Sequence, residues 1–394
     1  MKKIILIAGL ILLLAFEIGR VYFIMPFPGS QKSNTIDLAY WIDQNIIWVR
    51  IVLILLIAIP AINIFRQRKI WKKILLGCAL LLYAVVFYLF NFKFLADKMF
   101  YQPRSKQFQS SQQNTIAEDK LVIAVELNGE AKAYPIQLIG YHHQVTDTIG
   151  MVPVMVTYCT VCRTGRVFSP EVNGKHETFR LVGMDHFNAM FEDASTHSWW
   201  RQATGKAITG PLKGTALKEI PSAQMTLGSW LKQYPQSLVL QPDTIFNKRY
   251  KGLADFDRGT IKSGLEKRDS TSWKFKSWVV GISHDNVSKA YDWNDLANKR
   301  IIQDSLPGLP VLLMLDSDTA SFYVYNRMVD GKALHFKKDS TQTSVTDTNT
   351  GSIWNLKGEC TEGQHKGRKL QPVQSYQEFW HSWSTFHPNT LKYM

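Results

Sequence analysis

The alternation of apolar and polar positions divides the chain into two regimes. Three long apolar runs come first, at residues 4–27, 46–65 and 74–90, the last extending to about residue 96. Each reaches the roughly 20 residues that a helix needs to cross a bilayer. Residues 1–99 are therefore read as an anchor of three transmembrane helices, with the lipid bilayer as partner. Residues 100–119 are polar, rich in Gln and Ser, and read as a linker. Beyond them the runs become short and β-like. Residues 120–127 and 131–134 flank the turn Asn128-Gly129-Glu130, and 152–158 and 166–169 flank a Cys-x-x-Cys turn. Residues 172–175 suit a hairpin loop leading into 177–182. Residues 225–233 suit a short helix before Tyr234-Pro235, and 238–241 another strand. The fold class expected is α+β and β-rich: a three-helix membrane anchor, then a soluble domain of two degenerate tandem repeats.

The repeat is read from an ordered series of matches. Lys132-Ala133-Tyr134 recurs 157 positions on as Lys289-Ala290-Tyr291, and at that offset Asp147 meets Asp304, Pro153 meets Pro310 and Phe179 meets Phe336. After small deletions Ser198-Trp199-Trp200 meets Ser352-Ile353-Trp354, and Trp230 meets Trp383. The expected layout is a first repeat at 120–241 carrying Cys-x-x-Cys, a connector at 242–277 and a second, degenerate repeat at 278–394. At the same offset Cys159 meets Asp316, Cys162 meets Thr319, and His142-His143 meet Lys299-Arg300. The second copy lacks the thiols and imidazoles of the first, so it is read as scaffold.

Charge sets the expected orientation. Residues 66–73 hold Arg66, Arg68, Lys69, Lys72 and Lys73, whereas the loop at 28–45 holds Lys32 against Asp37 and Asp43. Lys and Arg favour the cytoplasmic side. The N-terminus is expected there, in the cell (inner) membrane, with residues from about 100 onward extracytoplasmic. The first run lacks a small-x-small cleavage site and is read as a retained helix. Glu17 and Arg20 lie on one face of it and can pair, while Arg50 can reach water by snorkelling. The formal charge of +14 is scattered apart from that one cluster. With no nucleic-acid-binding motif beside it, it points to an anionic bilayer and away from nucleic acid.

Four cysteines are too few for a disulfide scaffold. Cys78 lies in an apolar run, Cys360 is alone, and Cys159 and Cys162 form the one close pair. The run Val156-Thr157-Tyr158-Cys159-Thr160-Val161-Cys162 resembles the Thr-Tyr-Cys-Pro-x-Cys signature of an uncharacterised bacterial family, domain of unknown function 3179. The likeness takes in Lys132-Ala133-Tyr134-Pro135, Asp147-Thr148-Ile149-Gly150, the stretch from Ser198 to Leu212, Trp230 with Tyr234-Pro235, and Phe379-Trp380. Thr160, where Pro is common, and Arg163, where a small residue is usual, depart from it. The resemblance implies a fold and emphasis on the cysteines, with no reaction attached.

Three readings of the pair stand side by side. Two thiolates on a tight turn supply half of a tetrahedral Zn or Cu(I) shell, with His142, His143 and Cys360 as candidates for the rest. Alternatively, Arg163 and Arg166 favour thiolate and the pair exchanges with disulfides, although the strand after the motif denies it a helix N-terminus. In the third reading the cysteines are structural, and the domain is a non-catalytic protein- or glycan-binding module. Tyr158 supports the turn, and Trp200 beside Arg201 can stack on a ligand but suits core packing better. Asp185-His186 and Ser195-Thr196-His197 hold suitable side chains for hydrolysis but no nucleophile elbow.

Overall fold

The computed structural model describes residues 2–339 and 344–394, a mixed α+β, β-rich fold preceded by three apolar helices. The chain separates into two compact units.

The first unit combines residues 1–101 with 177–201 and 206–216. Its helices α1 (Lys2–Tyr22), α2 (Ile36–Phe65) and α3 (Ile70–Phe92) are long and apolar enough to cross a membrane. Helix α1 packs on α2 closely enough that a Cβ at Gly9 would sit 2.3 Å from Ile57, the close backbone approach small residues allow between helices. Helix α2 begins ten residues before its apolar run, because Ala39 and Ile42 are buried and Asp43 finds a partner on α1. That partner corrects the expected pairing within α1. Arg20 binds Asp43 at 2.8 Å, while Glu17 accepts two hydrogen bonds from Arg50, at 2.6 and 2.7 Å. Arg50 is thus tied to a carboxylate between helices rather than extended to water. Tyr83 and Asn91 of α3 also donate to Glu17. A buried charge is tolerated where it is paired and hydrogen-bonded in this way.

The rest of this unit is an antiparallel sheet of Phe179–Asp185, Asn188–Asp193, Trp199–Arg201 and Ala207–Thr209. Trp199 and Trp200 are fully buried, and their indole N–H groups donate to Glu192 and Asp193, each at 2.8 Å. They are core residues of the sheet. Arg201 pairs with Asp185, which also accepts from His186 at 2.6 Å.

The second unit holds 102–176, 202–205 and 217–394. One five-stranded sheet runs Phe108–Gln109, Leu238–Leu240, Glu130–Pro135, Leu121–Leu127, Ala223–Thr226. Beside it lies the three-stranded sheet of Gln144–Ile149, Val152–Cys159 and Thr164–Phe168. Later in the chain, Trp278–His284 pairs with Val287–Asp292 and Ser375–Phe379, and Ile301–Leu306, Leu309–Leu315 and Phe322–Asn326 form another antiparallel set. Alternating side chains feed two cores: one around Val122, Trp230, Met314 and Trp354, the other around Trp278, Val280, Leu313 and Phe379. At Gly165 a Cβ would fall 2.5 Å from Ile123 Cδ1, so the cysteine hairpin lies against the five-stranded sheet only because that residue has no side chain.

Candidate functional site

Val152–Cys159 and Thr164–Phe168 pair in a register that sets Cys159 opposite Thr164. Between them the chain turns through Thr160-Val161-Cys162-Arg163, closed by the Arg163 N–H on the Thr160 carbonyl at 3.2 Å. Arg163 stands at φ +55°, the left-handed region that side chains other than glycine seldom adopt. This tight turn brings the two thiols together. Neither is in a disulfide and both are fully buried, with Cys159 close enough to act on the Cys162 thiol. Burial and the neighbouring Cys159 push the Cys162 thiol well above its ordinary range, while Lys276 and Ser382 act in the other direction.

The turn is packed against residues 276–277 and 375–386. The Phe379 N–H donates to the Cys162 carbonyl at 3.0 Å. Lys276 Nζ donates to the Val161 carbonyl at 2.5 Å and lies 3.2 Å from His381 Nε2, itself 3.2 Å from the same carbonyl. Burial and the adjacent Lys276 hold His381 down to about 3, so the ring is neutral and able to accept from the ammonium. The exposed ring of Phe275 stacks on His381 at 4.2 Å. Burial lowers the Lys276 pKa, and the two thiols raise it. Thr164 Oγ1 meets Ser382 Oγ at 3.2 Å, and Ser382 donates to Glu378 at 2.9 Å.

The two arginines of the motif are committed elsewhere. Arg166 forms a buried ion pair with Glu378, and its guanidinium lies 3.3 Å from the centroid of the Tyr376 ring. Arg163 donates to Gln377 Oε1 at 2.8 Å and to the carbonyls of Phe256 and Asp257, and stacks on Trp278 at 3.8 Å. They clamp the hairpin against Trp278 and the 375–379 strand. The cation that acts on the thiols is Lys276.

His143 Nδ1 donates to the Tyr158 carbonyl at 3.0 Å, behind the strand that ends in Cys159, and burial holds its pKa down to about 4. His142 Nε2 meets the Tyr250 hydroxyl at 2.6 Å. Tyr158 is fully buried, its ring edge-on to Phe256. Cys360 belongs to the core around Trp354, where its thiol donates to the Glu362 carbonyl at 3.2 Å. Trp200 and Arg201 lie in the first unit. Among the described residues no three of His, Cys, Asp and Glu converge as a metal-holding group. Sequence reasoning missed Lys276, His381, Ser382, Gln377 and Glu378. The one available signal was Phe379-Trp380, which marks the segment that carries four of the five.

Comparison with known proteins agrees with the family resemblance. The model of a family described as a protein of unknown function, DUF3179, matches residues 101–390, and the chain belongs to that family. No curated protein and no solved structure matches the chain.

Proposed function

We propose that this is a membrane-anchored protein of the cell envelope that binds a thiophilic metal ion, Cu(I) or Zn(II), through Cys159 and Cys162. The observation that carries the reading is the tight turn that buries both thiols completely, with the Lys276 ammonium on the carbonyl of Val161 between them. Soft thiolates select such ions, and Lys276 offsets part of the charge created when both thiols lose their protons. The preference of Lys and Arg for the cytoplasmic side supports a cytoplasmic N-terminus and an extracytoplasmic β-rich portion.

The portion beyond the anchor is in our reading a duplication, and paired hydrogen bonds support it. Tyr134 donates to Asp147 at 2.6 Å and Tyr291 to Asp304 at 2.9 Å. Trp200 donates to Asp193 at 2.8 Å and Trp354 to Asp347 at 3.1 Å. Trp230 donates to Ser237 at 2.7 Å and Trp383 to Thr390 at 2.8 Å. The copies complete each other: the turn of the first is backed by Glu378 and Ser382, and Asp316 of the second accepts from Ser229 of the first at 2.9 Å. The second copy is then a wall of the site, more than a scaffold.

Thiol–disulfide exchange is the second reading, favoured by the same closeness of two reduced cysteines on one tight turn. In it the pair gives two electrons and two protons to a partner disulfide, which leaves as two thiols. Metal counted per chain after loading the reduced, full-length protein separates the two readings. One equivalent that disappears in Cys159→Ala/Cys162→Ala supports the first. No metal, with a disulfide that reforms reversibly at a mild potential, supports the second.

A further inference from the structure

Lys276 is buried, yet among the described residues it forms no ion pair with a carboxylate. Its Nζ meets the Val161 carbonyl, the neutral ring of His381 and the face of Phe379, and the two thiols act on it electrostatically. Glu266 and Asp269 act on it only at longer range: Glu266 accepts from Thr160 at 3.3 Å, and Asp269 accepts from the backbone N–H of Lys276. Arg166 is neutralised by Glu378, and Arg163, held by neutral acceptors, has the Asp257 carboxylate acting on it, so neither is counted in the balance. A buried cation needs an anion close by, and the thiols of Cys159 and Cys162 act on Lys276 more strongly than the carboxylates of Glu266 and Asp269 do.

The balance of charge then discriminates between ions. Two thiolates carry −2 and Lys276 carries +1. A monovalent ion brings the buried group to zero, whereas a divalent ion leaves it at +1, with only the weaker fields of Glu266 and Asp269 against it. We propose that Lys276 is the specificity-determining residue of the site and selects a monovalent soft cation, Cu(I), over Zn(II). This rests on the metal-binding reading above. Coordination points the same way: Zn(II) calls for four ligands, the motif supplies two, and Cu(I) is content with two thiolates.

The test uses the full-length protein in detergent, reduced and metal-free, titrated against chelators of known strength. Ag(I) and Cd(II) are the probes, both soft and isoelectronic; they differ in charge and in preferred coordination number, and the Lys276 variants isolate the charge; Cu(I) and Zn(II) follow. Wild-type protein is expected to bind one Ag(I) and to hold Cd(II) at least about 100-fold less tightly. Lys276→Met should lower Ag(I) affinity by roughly 10- to 1,000-fold, the scale set by one opposite charge at close range, without a matching loss for Cd(II). Lys276→Arg should restore the preference. Uptake of neither ion by wild type would overturn the metal-binding reading and this inference with it. Cd(II) bound as tightly as Ag(I), or a ratio unmoved by Lys276→Met, would overturn the inference alone. If Lys276→Met does not fold, Lys276→Gln takes its place, and Cd(II) bound as tightly as Ag(I) by wild type overturns the inference without any variant.

Discussion

Lys276 Nζ lies 2.5 Å from the carbonyl oxygen of Val161, a residue between Cys159 and Cys162. A charge from the connector is thereby fastened to the middle of the Cys-x-x-Cys turn. Its field lowers the Cys162 pKa against the stronger effect of burial. Lys276→Met should move the pH profile of alkylation at Cys159 and Cys162 upward by roughly 1–3 units, read by peptide-resolved mass spectrometry. An unchanged profile would remove Lys276 from the site.

The Arg166–Glu378 pair is buried on both sides. Arg166→Met leaves a carboxylate buried without its cation, and should cost roughly 3–5 kcal/mol. Converting both, as Arg166→Met/Glu378→Gln, should recover most of that loss. Denaturant unfolding of the single and double variants checks this, and equal destabilisation in both would show that the ion pair is not what holds the hairpin.

Two buried imidazoles make stability depend on pH. His143 is held down to about 4 and His381 to about 3, both mainly by burial, against an ordinary value near 6.5. The unfolded chain therefore binds more protons than the native one between about pH 6.5 and those values. Stability is complete above 6.5 and falls with pH through that window, by up to about 1.4 kcal/mol per pH unit for each ring. Unfolding free energies at pH 7 and pH 5 should show the loss, and His143→Gln should flatten it.

Gly165 carries the close approach of the hairpin to the five-stranded sheet. Gly165→Ala should destabilise the fold by roughly 1–3 kcal/mol through overpacking against Ile123. Removing the obstructing Cδ1 with Ile123→Val should return part of it. Thermal unfolding of the two variants and their combination measures the coupling, and additive losses would contradict the contact.

Much of this was legible in the chain. The apolar runs marked three helices, and the Asn-Gly and Gly-Lys turns marked hairpins, because those signals are local. The N-terminal extension of α2 was hidden, since Asp37, Tyr40 and Asp43 read as loop until Arg20 supplies a partner from another helix. The cysteine turn was visible, but its far wall was not. Lys276 stands in a stretch of irregular composition, and His381 is more than 200 residues beyond the motif, so nothing local links either to it. Arg163 and Arg166 were adjacent in sequence and took the role that tertiary packing gives to Lys276. Glu17 and Arg20 misled in the same way: proximity along one helix yielded to better partners on the next.

The central claim is that Cys159 and Cys162 together hold one metal ion. The most direct measurement is alkylation of the reduced, full-length protein with and without one equivalent of Cu(I), mapped to individual cysteines under mild denaturation. Protection of Cys159 and Cys162 in equal measure, with Cys78 and Cys360 unprotected, is the expected result. Equal labelling of all four cysteines with and without Cu(I) would contradict the account.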